Sequence, residues 1–152
     1  MRRGCLLLLT VLAVPAPVRA QRGHDLQAQA IGLVGGRALV GAGAGAGLRF
    51  ARGMRVALVA SGGWLEPDQV GGRGELLATF HLTPFQRTGP TVYGGGGGAL
   101  LVADSVRGYL VLLIGLEARP AAGGGWFAEA GVGGGVRLSF GYRAIVYARR
   151  RR

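Results

Sequence analysis

The side chains in this 152-residue sequence that could do chemistry are few: two histidines, seven carboxylates and scattered hydroxyls, set against eighteen arginines. His81 is the natural general base, with Ser61, Glu75 and Ser139 as companions if all four share one interior. Nucleophilic catalysis needs a hydroxyl held at a strained elbow or beside its base, and neither that motif nor a local triad spacing occurs here. His81 therefore reads first as an interior residue, hydrogen-bonded or paired with Glu75, while His24 reads as solvated. Two histidines without a usable cysteine make no zinc site. The single Cys5 lies near the N-terminus, just before the apolar run that starts at Leu6 and within a segment expected to be cleaved, so neither a disulfide, nor a metal, nor a cofactor is expected. Tyr93 to Ala99, a run of five glycines between tyrosine and alanine, superficially has the dinucleotide fingerprint, with Glu117 placed for a ribose contact. That fingerprint needs a buried strand before it and a full helix after it. Pro90 comes too soon before the run and Gly108 too soon after it.

A further set carries both signs of charge: Arg49, Arg55, Glu75, His81, Glu117, Glu129, Arg137 and Arg143. On neighbouring strands of one closed sheet these residues would form a polar network filling an interior. The sharper reading is a ring that selects ions in a narrow pore, but eight strands enclose little free space.

Such residues need elements to position them. Residues 1–20 have the layout of a secretory signal: Arg2 and Arg3, the apolar run Leu6 to Val14, and Val18-Arg19-Ala20 as a small-residue cleavage site. The apolar run is far shorter than the roughly 20 residues a spanning helix requires. The residues after Arg2-Arg3 do not match the twin-arginine signal, so ordinary secretion is expected, with cleavage after Ala20. Without Arg2, Arg3 and Arg19, fifteen arginines face seven acids, a charge of +8. Four of those arginines form a basic tail within residues 148–152. No aromatic platform accompanies the tail, so nucleic acid is not the expected partner; for an exported chain the nearby anions are lipid head groups.

Thirty-one glycines argue against helix, since each interior glycine costs about 1 kcal/mol relative to alanine. An apolar content of 49% argues against disorder. What is left is β-structure. The turn-like clusters predict strands over 25–34, 38–50, 54–65, 73–84, 91–103, 107–119, 126–132 and 136–147. Alternation within them is clear. Leu76, Ala78 and Phe80 interleave with Glu75, Leu77, Thr79 and His81; Leu110, Leu112, Ile114 and Leu116 oppose Tyr109, Glu117 and Arg119; Leu138, Phe140 and Tyr142 oppose Arg137, Ser139 and Arg143. Successive side chains of a strand face opposite ways, so each strand has one charge-free face.

A soluble sheet would bury that face, whereas a membrane barrel turns it to lipid. Three features favour the barrel. The opposite face is small, rich in Gly, Ala and Ser; its charges are of both signs; and Phe50, Trp64, Phe85, Tyr93, Tyr109 and Trp126 lie toward strand ends, as an aromatic girdle requires. In lipid every backbone polar group must also be paired within the protein, which closure achieves. The expected fold is all-β: a single antiparallel up-and-down transmembrane β-barrel of about eight strands over residues 21–147.

Over essentially its whole mature length the chain resembles the small eight-stranded outer-membrane β-barrel proteins of two-membrane bacteria. The signal, the dyad repeats and the closing segment Gly131-Val-Gly-Gly-Gly-Val-Arg-Leu-Ser-Phe-Gly-Tyr-Arg-Ala144 carry the resemblance. Members usually end in a strand with an aromatic residue that the assembly machinery reads; Tyr147 holds that place, and residues 148–152 follow it. The resemblance implies outer-membrane lipids and the barrel-assembly machinery as partners, a monomer, and a structural or interaction role without turnover. The alternatives are a lipid-modifying outer-membrane enzyme with His81 as base, and a soluble periplasmic β-domain that binds a small ligand.

Overall fold

The computed structural model describes residues 23–147 except 36, 51, 52, 67, 68 and 86. The expected signal and the basic tail lie outside the described residues. Eight strands follow one another: β1 (Gly23–Val34), β2 (Leu39–Arg49), β3 (Met54–Leu65), β4 (Gln69–His81), β5 (Pro90–Val102), β6 (Val106–Ala118), β7 (Gly124–Val132) and β8 (Val136–Tyr147). Each pairs antiparallel with the next, and β1 closes on β8 from Gly23↔Tyr147 to Val34↔Val136.

Closure fixes strand bounds that residue preferences leave open. Gln69 to Gly72, expected as turn, belongs to β4, because Leu65 and Trp64 of β3 pair with Gln69 and Val70 across a connection of only 66–68. Residues 82–84, expected as strand, lie instead in the longest connection, 82–89. Arg119, expected on the inner face of β6, sits in the next turn with φ +49°. The end of the barrel that holds Gly23 and Tyr147 (the terminal end) carries connections 50–53, 82–89 and 119–123. The distal end carries only the tight connections 35–38, 66–68, 103–105 and 133–135.

Polarity decides what surrounds this wall. Leu76, Phe80, Leu112 and Leu138 face outward, 57%, 49%, 65% and 53% exposed, while Glu117 and Arg137 are at 0%. The apolar exterior runs round the whole barrel, far beyond the few hundred Å² a soluble monomer tolerates. Arginines inside and leucines outside make a protein whose solvent is hydrocarbon.

The inner face is crowded, and glycine answers the crowding. Inward positions 41, 43, 45 and 47 of β2 are all glycine. A Cβ on Gly41 would lie 2.8 Å from the Cα of Gly63, its partner on β3. At the distal end Leu33, Leu39, Leu65 and Leu101 pack across the lumen with Tyr109 against them. A second apolar cluster, Leu77, Tyr93, Ala99, Val111 and Leu113, lines the β4–β6 wall. Tyr93 and Tyr109, expected in the outer girdle, thus belong to the interior, whereas Phe50, Trp64, Phe85 and Trp126 are exposed.

Candidate functional site

The strands alternate along most of their length, so parity determines which side chains face inside. At the terminal end β1 contributes Asp25 and Gln27, β2 Arg49, β3 Arg55, β4 His81 and β6 Glu117. The Arg55 guanidinium grips Asp25, Nε to Oδ2 at 2.8 Å and Nη2 to Oδ1 at 2.6 Å, and also donates to Gln27 Oε1 at 2.7 Å. Arg49 bridges Asp25, at 3.0 Å, to Glu117. His81 faces two acceptors: Nε2 lies 2.6 Å from Glu117 Oε2, and Nδ1 lies 3.2 Å from the Gly53 carbonyl. A neutral imidazole can donate to only one of them, the cation to both.

Arg143 of β8 occupies the middle. It donates to Glu117 at 2.8 Å, to Glu129 at 3.0 Å, to Gln27 at 3.0 Å and to the Tyr93 hydroxyl at 3.3 Å. Its guanidinium carbon lies 4.0 Å from the Phe127 ring centre and 5.3 Å from that of Tyr93. Tyr93 in turn donates to Glu129 at 2.7 Å and stacks on His81 at 4.7 Å. Further toward the distal end Arg137 binds Glu129 at 2.8 Å and forks onto Glu75 at 2.8 and 3.0 Å. Arg73 adds one bond, Nε to Glu75 at 2.7 Å.

The ion pairs form one chain of alternating sign through the lumen: Arg55, Asp25, Arg49, Glu117, Arg143, Glu129, Arg137, Glu75, Arg73. It brings together all eight residues that the sequence singles out, with His81 attached at Glu117. The partner of His81 is Glu117, two strands away from β4, and not Glu75, which two arginines hold. Ser139 donates to Glu129 at 3.0 Å and accepts from Arg137 at 3.2 Å, and the Ser61 hydroxyl has no hydrogen-bond partner among the described residues. No serine is bonded to the histidine. Sequence reasoning missed Asp25, Gln27, Arg73 and Tyr93; the first three share the parity of Ile31 and Glu75, which was the available signal. His24 is exposed on β1, and the glycine run forms the middle of β5 and leads into β6. Among the described residues no group of three His, Cys, Asp or Glu is placed to hold a metal.

No protein-family model matches the chain, and no curated protein matches it in sequence. Solved structures do. The N-terminal β-barrel domain of Pseudomonas aeruginosa OprF superimposes with a TM-score of 0.61 at 18% identity, over 84% of this chain and 99% of that one. Neisserial surface protein A gives 0.60 at 14% identity, over 81% and 96%. The outer-membrane protein OprG of Pseudomonas aeruginosa gives 0.54 at 12%, over 85% and 97%. This is the fold of a small outer-membrane β-barrel. At such identities the likeness is one of backbone, and the ion-pair chain inside the barrel is read from this chain's own side chains.

Proposed function

We propose that the chain is a bacterial outer-membrane protein with a structural or interaction role, its lumen filled rather than open and without turnover. The single observation that carries this is the unbroken sequence of ion pairs across the interior, continued at the distal end by Leu33, Leu39, Leu65 and Leu101. A pore needs a polar lining with water beside it, and here guanidinium meets carboxylate directly. An enzyme needs a reactive group free to reach substrate, whereas His81 is engaged at both nitrogens and buried. Tight distal connections leave little surface for recognition, which loops usually provide. Outer-membrane lipids are then its principal partners. Outward Gly74, Gly98 and Gly108 lie among Leu58, Leu76 and Leu100 in a shallow apolar depression that matches acyl chains. The closed wall offers no sheet edge, so the barrel works as a monomer once the assembly machinery has inserted it.

Cell fractionation with a heat-modifiability gel tests the placement: the folded protein stays with the outer membrane and migrates differently before and after boiling. Planar-bilayer recordings of the purified protein should show no steady channel, and His81→Ala should leave lipid profiles unchanged. Steady conductance or an altered lipid profile would refute the filled, inert interior.

A further inference from the structure

An alternating chain of nine charges that begins and ends on arginine has one more cation than anion. The surplus has an address. Arg49, Arg143 and Arg137 are each shared between two carboxylates, and Arg55 has Asp25 on Nε and Nη2 plus Gln27 on Nη2. Arg73 has only its Nε bond to Glu75, an oxygen that Arg137 also uses. Among the described residues its Nη1 and Nη2 have no protein partner, although the side chain is 0% exposed.

The row of registered residues that starts at Arg73 holds two more unpartnered polar groups. Across the sheet Arg73 is in register with Ser61, Ser61 with Gly43, and Gly43 with Gln29. Ser61 Oγ and Gln29 Nε2 are buried without a partner. The Gln29 oxygen accepts from Gln27 at 3.0 Å, so the wholly unengaged end of the amide is its NH2. The unpartnered atoms of Arg73 and Gln29 are thus donors, and the Ser61 hydroxyl can act as a third. The Gly43 between them adds no side chain. A cation would be repelled here, and a neutral ligand would leave the charge uncompensated. A buried charge without a counterion is strongly unfavourable. The tip of Arg73 lies beneath the β7–β8 turn, where a Cβ on Gly133 would be 3.1 Å from Nη2, so the site is close to the distal mouth.

We propose that Arg73, with Ser61 and Gln29, binds one small monovalent anion inside the barrel, chloride in an ordinary buffer. The proposal goes beyond the scaffold reading and does not depend on it, because it concerns the charge balance of the interior. The test uses the full mature barrel folded in detergent, with thermal unfolding followed in chloride, bromide and gluconate at equal ionic strength. A ligand that binds only the folded state raises the unfolding temperature with its concentration. Chloride and bromide should stabilise relative to the much bulkier gluconate. The halide increment should vanish in Arg73→Met. Ser61→Ala, which keeps the guanidinium and the fold, should weaken the halide midpoint by about fivefold, one hydrogen bond's worth. Crystals soaked in bromide should show an anomalous peak within hydrogen-bond distance of the Arg73 Nη atoms. Equal unfolding temperatures in halide and gluconate, an increment that survives Arg73→Met, or a bromide peak only elsewhere would overturn the proposal. If Arg73→Met does not fold, the Ser61→Ala midpoint and the bromide peak decide it.

Discussion

Arg143 is fully buried, yet every nitrogen of its guanidinium meets an acceptor and aromatic rings lie near it. Removing one partner of a buried ion pair costs about 3–5 kcal/mol, because the other charge is left dry and alone. Arg143→Met should therefore destabilise the folded barrel by about that much in urea titrations, with Glu117 and Glu129 both left short. Adding Glu117→Gln should cost less than the two single changes summed, since each already abolishes their shared contact. Gly115 has a quieter role: a Cβ there would lie 2.5 Å from the Tyr93 ring. Gly115→Ala should push Tyr93 off Glu129 and cost on the order of 1–3 kcal/mol by overpacking, measured in the same titration. At this scale the sequence was legible as to face but not as to partner. Parity placed His81 and Glu75 inside; it could not tell that the barrel's stagger brings His81 level with Glu117 of β6 and leaves Glu75 to Arg73 and Arg137.

Strand β6 shows what a whole element has to satisfy. Leu110, Leu112, Ile114 and Leu116 face outward while Val111, Leu113 and Glu117 face in. If hydrocarbon is the outer solvent, Leu112→Arg near the strand centre should cost about 2–4 kcal/mol, and Val106→Arg at its distal start about 0–1 kcal/mol. Unfolding of liposome-inserted variants measures both. Equal, negligible costs at the two depths would mean that water lies outside. Alternation made β6 and β8 readable almost to the residue. It failed at Gln69-Val70-Gly71-Gly72, whose composition suits a turn as well as a strand; the neighbouring Leu65 and Trp64 determine the matter by pairing with Gln69 and Val70. It failed likewise for Tyr93, an aromatic near a strand end that the crowded interior claims for Glu129 and Arg143.

For the molecule as a whole, Trp64 near the distal end and Trp126 near the terminal end are both exposed on the outer wall, Trp126 stacked on Phe140 at 6.4 Å. Their fluorescence should be quenched strongly when the barrel is folded into vesicles of brominated lipid and not by a water-soluble quencher such as iodide. The reverse pattern would sink the membrane placement. Closure itself has a temporal consequence. The seam between β1 and β8 runs through twelve registered residue pairs, from Gly23↔Tyr147 to Val34↔Val136. The strand made earliest therefore waits for the one made latest, and until then both carry open rows of amide and carbonyl groups. A growing chain of this kind has to be kept from its own copies during export, and a stop codon placed before β8 should give aggregate in place of a shorter, working cylinder.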